Sequence, residues 1–131
     1  MPLPLLDEHS ATFSAPLPAV WLAVQRYADA MTRADHGVLG RFLGTVPRSG
    51  FALAEEIERE RVVLAGQHRF ARYRLVFELD QESEIATRLS IRSLAAFPGA
   101  RGRIYRTLLM GTRGHLIAVR HMLRTIRRQV G

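Results

Sequence analysis

The chain has no cysteine, no lysine and no asparagine among its 131 residues. Without thiols there are no disulfides, no thiolate metal ligands and no cysteine nucleophile. Without lysine there is no Schiff-base chemistry on a side-chain amine. All 19 residues of the lysine-plus-arginine count are arginines, and each is a planar fork suited to carboxylate or phosphate. No apolar run approaches the roughly 18 residues of a membrane-spanning helix. The opening Met1-Pro2-Leu3-Pro4-Leu5-Leu6-Asp7-Glu8 lacks the basic stretch of a signal peptide, so a cytoplasmic location is expected. There is no glycine-rich phosphate loop and no Gly-x-Ser-x-Gly nucleophile elbow. The five histidines (His9, His36, His68, His115 and His121) share no metal-ligand spacing with one another or with an acid. No metal and no cofactor is therefore expected.

Apolar content of 47% and charged content of 24% are those of a globular chain. A single domain over residues 1–131 is expected at this length. Charge is unevenly placed. The last 31 residues hold eight arginines and no acid, whereas the first 100 hold eleven arginines against twelve acids. A basic excess raises an anionic partner. Yet stacking aromatics are not interleaved with these arginines, as single-strand binders require, so nucleic acid is not the expected partner.

Residues 7–14 predict a strand, ended by Ala15-Pro16-Leu17-Pro18. Val20, Val24, Tyr27 and Met31, with Trp21 and Ala28 beside them, follow helical periodicity. Val38, Leu39, Phe42 and Leu43 suggest a short second helix. From Phe51 the period becomes two. Phe51, Leu53, Glu55 and Ile57 share one predicted face; Ala52, Ala54, Glu56 and Glu58 share the other. Residues 61–65 suggest a further strand, with a break at Gly66-Gln67. Residues 68–80 alternate cleanly, with Ala71, Tyr73, Leu75, Phe77 and Leu79 inward. A turn at Gln81-Glu82-Ser83 leads to Glu84–Phe97, with Ile85, Thr87, Leu89, Ile91, Ser93, Ala95 and Phe97 inward. The expected solvent face holds Glu56, Glu58, Glu78, Arg72, Arg74, Arg88 and Arg92, where cross-strand ion pairs account for the charges.

A long amphipathic helix is predicted from near Arg103. Tyr105, Leu108, Thr112, Leu116, Val119, Leu123, Ile126 and Val130 form its apolar stripe; Arg106, Arg113, Arg120 and Arg127 repeat on the opposite side. Met110 and Ile117 fall among the arginines. That mixture suits a homodimer or an anionic partner, through Arg106, Met110, Arg113, Ile117 and Arg120. Gly111 and Gly114 mark a close approach or a bend.

A strand running into Ser14-Ala15-Pro16-Leu17-Pro18-Ala19-Val20-Trp21 resembles the opening of the SRPBCC superfamily, which includes START domains, birch-pollen-allergen-like proteins and polyketide cyclases. Gly66-Gln67-His68-Arg69-Phe70-Ala71-Arg72-Tyr73, residues 97–105 and Gly114-His115 are similar to a subfamily of unknown function. The resemblance implies an α+β helix-grip fold: a curved antiparallel β-sheet wrapped around a long C-terminal α-helix, with one or two short helices after the first strand. It also implies a small apolar or amphipathic ligand between sheet and helix. The expected lining is Trp21, Phe51, Leu53, Arg69, Tyr73, Leu75, Phe77, Thr87, Leu89, Tyr105, Leu108, Thr112 and His115. The alternatives are a cyclase, dehydratase or isomerase using His115 and Glu55 as acid and base, with Arg69 on a carboxylate, or an interaction module docking its arginine face.

Overall fold

The structure, a computed structural model, describes residues 5–33, 51–68, 71–97 and 114–130; of the side chains in these ranges, those of 6, 7, 68 and 114–119 are not described. The expected second helix over 38–43 and the start of the terminal helix lie outside the described residues, as do Arg69, Tyr105, Arg106, Leu108, Met110, Thr112 and Arg113.

Among the described residues, five strands and two long helices follow in the order β1 (Leu5–Phe13), α1 (Leu17–Arg33), β2 (Ala52–Ile57), β3 (Arg61–His68), β4 (Ala71–Ser83), β5 (Ala86–Ala96) and α2 (Gly114–Val130). The strands form one curved antiparallel sheet in the order β1-β5-β4-β3-β2. The chain thus lays down one edge, crosses through α1 to the opposite edge, and returns by hairpins. α1 packs across β2 to β5, and α2 packs against α1 and β1. No described helix is long and apolar enough to cross a membrane.

Two prolines set the entry to α1. The Pro16 carbonyl accepts from the amides of Ala19 and Val20 at 3.0 and 3.2 Å, and Pro18 lacks only an N–H that the first turn leaves unpaired anyway. Val20, Trp21, Val24 and Ala28 are then buried on the sheet. Burial pushes the Tyr27 phenol above its ordinary 10.0; its ring meets Phe77 edge-on at 6.3 Å. The core joins these residues to Phe13, Val62, Leu64, Leu75, Phe77, Leu89 and Ile91. From α2 it receives Met122 and Ile126, with Leu123 and Val130 partly buried beside them. Arg127 holds its guanidinium 4.8 Å from the centre of the Phe13 ring.

Three strand boundaries differ from expectation. β3 runs through Gly66-Gln67 to His68. β4 runs to Ser83 and turns at Glu84-Ile85, leaving Ile85 74% exposed instead of inward. The β2–β3 connection carries no glycine because Arg59 takes the left-handed conformation itself, at φ 61°. The Glu60 amide donates to the Ile57 carbonyl at 2.9 Å and closes the turn. A positive φ costs a non-glycine residue about 1–2 kcal/mol, partly offset by the extra chain entropy of glycine. Arg59→Gly is therefore expected to stabilise the protein by roughly 0.5–1 kcal/mol, read as a rise in denaturation midpoint with an unchanged m-value.

The largest correction concerns β2. Leu53 pairs with Leu64, but Glu55 pairs with Val63 and Glu56 with Val62. Ala54 is an extra residue, a β-bulge, and every later side chain of β2 changes face. Glu55, expected inward, stands on the face away from the helices, in the row Val63–Val76–Arg92. There it pairs with Arg61 at 3.3 Å. Glu56, expected outward, joins the helix-side row of Val62, Phe77 and Ile91, all fully buried. Glu58, also expected outward, lies in the turn after β2; Glu78, Arg72, Arg74, Arg88 and Arg92 keep their face, and Arg92 pairs with Glu78. Such solvent-accessible pairs contribute about 0–1 kcal/mol each.

Candidate functional site

The bulge that moves Glu56 also shapes the concave feature beside it. A cleft of about 400 Å³ opens between the second half of α1 and the β2 edge of the sheet. Its floor is apolar: Ala28 from α1, Leu53 from β2 and Leu64 from β3. Leu64 is fully buried and belongs to the core, whereas Leu53 is 52% exposed on β2, the edge strand among the described residues. The polar wall comes from Gln25, Arg26, Asp29 and Thr32 on α1 and Glu56 on β2.

The helix supplies these groups through its period. At about 100° per residue, Gln25, Ala28, Asp29 and Thr32 share one side of α1, adjoining the buried Val24 and Ala28 stripe. Gln25 donates its amide N–H to Glu56 Oε1 at 3.4 Å. Thr32 donates its hydroxyl to the Asp29 carbonyl at 2.9 Å, and Asp29 Oδ1 accepts from Arg33 Nε at 3.2 Å. The Arg33 and Asp29 side chains are 77% and 57% exposed, so this is a solvated pair.

The expected lining residues fall into three groups. Leu53 lies on the cleft floor. Phe51 and Tyr73 meet edge-on at 5.1 Å near the same end of the sheet; Gly66, opposite Tyr73, has no side chain to part them. Trp21, Leu75, Phe77 and Leu89 are buried in the core. Thr87 is fully buried, and its hydroxyl donates to the Ala15 carbonyl at 2.9 Å, tying β5 to the start of α1. His115 and Ile117 fall in the first turns of α2, on a stretch whose side chains are not described. Glu55, on the opposite face of the sheet from α1, is not brought towards the cleft. Arg120 is exposed on α2.

Sequence reasoning missed Gln25, Arg26, Asp29, Thr32, Glu56 and Leu64. A polar stripe beside the α1 core stripe was visible, but nothing in it says that β2 lies opposite. Among the described residues, no group of three or more His, Asp or Glu is placed to share a metal ion.

No family model and no curated protein matches the chain. Solved structures do match over nearly its whole length. A START superfamily protein from Mycobacterium smegmatis aligns with a TM-score of 0.56 and 11% identity, covering 96% of this chain and 97% of its own. A conserved protein from Geobacillus kaustophilus gives a TM-score of 0.61 at 12% identity, over 94% of this chain and 93% of that one. A protein of Thermus thermophilus gives 0.59 at 17% identity, over 94% of each chain. At such identities the likeness is one of fold. The protein is an α+β domain with the helix-grip fold, the fold of that START superfamily protein.

Proposed function

We propose that this helix-grip domain binds a small amphipathic molecule, with the apolar part on the apolar floor and the polar end towards the polar groups of α1 and β2. The observation that supports the reading is the cleft: an apolar floor continuous with the core, walled by polar groups of α1 and β2. Its volume of about 400 Å³ falls within the usual range for small-molecule sites. Acid–base catalysis through His115 and Glu55 has no comparable support, since Glu55 faces away from α1 and is engaged by Arg61.

The test uses a neutral probe, a decyl chain carrying a dansyl group. Trp21, the sole tryptophan, is buried in the core and serves as energy donor. Saturable sensitised emission is expected at micromolar probe, and native mass spectrometry of gently purified protein should show a bound small molecule. Leu53→Arg places a charge on the cleft floor at a half-exposed position. It is expected to weaken probe binding about tenfold or more while leaving the melting temperature nearly unchanged. A folded wild-type protein with neither saturable probe binding nor a co-purified molecule would end this reading.

A further inference from the structure

The hydrogen-bond inventory of the cleft wall has a direction, and it identifies the ligand's polar end. Thr32 has one hydroxyl proton, and it is given to the Asp29 carbonyl. Gln25 has two amide protons, and one is given to Glu56. What the wall still offers is mainly oxygen: the hydroxyl lone pairs of Thr32, the amide oxygen of Gln25, Oδ2 of Asp29 and the remaining carboxylate capacity of Glu56. Among the described residues one arginine, the exposed Arg26, also lines the cleft. Glu56 differs from the other carboxylates near the cleft. Glu55 has Arg61 and Asp29 has Arg33, but Glu56 accepts only the long bond from Gln25 among the described residues. It stands there because the Ala54 bulge turns it to the helix side, at the end of a row in which Val62, Phe77 and Ile91 are fully buried. Glu56 is itself exposed, and a carboxylate without a cationic partner among the described residues attracts a cation and repels an anion.

We infer that the ligand is an apolar molecule with a protonated amine head, its ammonium seated on Glu56 and its chain on Leu53 and Leu64. An ammonium has three N–H donors and no acceptor, the complement of this wall. Among the described lining residues a carboxylate or phosphate head would face the Glu56 and Asp29 carboxylates, with Arg26 alone to favour it. The inference rests on the proposed ligand-binding reading and narrows it to one head-group chemistry. It also runs against the protein's overall charge of +7, which favours anions at long range. A preference for the amine would therefore have to come from the site.

The experiment is competition for the dansyl probe by decylammonium, decanoate and decanol, each below its aggregation concentration. Decylammonium is expected to compete about tenfold better than either of the others, the scale of one charge-assisted hydrogen bond. Glu56→Gln keeps the shape and removes the charge; it should abolish the advantage of the amine and leave decanol unchanged. Asp29→Asn should reduce the advantage by a smaller factor. If decanoate or decanol competes as well as the amine, or if Glu56→Gln leaves amine affinity intact, the head-group inference fails while the binding reading stands. If neither the probe nor any competitor binds, both fail.

Discussion

Phe77→Ala is expected to lower stability by about 3–5 kcal/mol, the largest effect of any single truncation considered. Phe77 is fully buried at the centre of β4, the middle strand of the sheet, with Val62 on one side and Ile91 on the other. Tyr27 of α1 rests edge-on against its ring. Removing the ring forfeits the transfer free energy of its carbons. It also leaves a hole that the neighbours cannot close, because paired strands hold them on both sides. Chemical denaturation should show a lower midpoint with an unchanged m-value, and the melting temperature should fall by roughly 10–20 °C. Phe77→Leu, which keeps most of the volume, should lose less than half as much. If Phe77→Ala cost under about 1 kcal/mol, the helix side of β4 would not be the close-packed centre described.

The row containing Phe77 also shows why the sequence revealed the core better than the cleft. Along β4 and β5 the alternation is plain from Ala71 to Leu79 and from Thr87 to Ala95, and the inward residues are buried except for half-buried Tyr73; Val76 is the outward residue that is buried as well. Period two suffices there because each strand has a partner on both sides. The α1 stripe was equally plain, since Val20, Val24 and Ala28 repeat at helical spacing. β2 is different. Ala52-Leu53-Ala54-Glu55-Glu56-Ile57 can be read with either glutamate inward, and all six residues are exposed. The choice is made by one extra residue in the pairing with β3, a property of two strands together that neither shows alone. The same holds at Arg59, where the turn uses a left-handed arginine in place of the glycine that would have announced it. Thr87 was legible as inward but not as structural. Its partner, the Ala15 carbonyl, lies 72 positions away, and only the fold brings them together. The candidate site is thus made of features that pattern reading sees poorly: a bulge, an edge strand and the polar flank of a helix.

Ile126→Ala is the second large expected effect, about 2–5 kcal/mol, and its character should differ from that of Phe77→Ala. Ile126 is fully buried and, with Met122, supplies the buried anchor of the described part of α2; Leu123 and Val130 flank it, partly buried. The helix docks at one margin of the structure, against α1 and β1, whereas Phe77 is held between two strands. Losing Ile126 therefore loosens one element without opening the sheet. Amide hydrogen exchange should accelerate most across residues 120–130, with much less change in β3, β4 and β5. The Arg127–Phe13 contact, worth about 0.5–2 kcal/mol, lies one residue away and depends on the same docking. Double-mutant cycles between Ile126→Ala and Arg127→Ala should accordingly show coupling, because once α2 is released the guanidinium no longer lies over the ring. Arg124→Ala, on the exposed side of the same helix, should change stability by less than about 0.5 kcal/mol. Uniform exchange acceleration through the sheet in Ile126→Ala would mean instead that α2 and the sheet unfold as one unit.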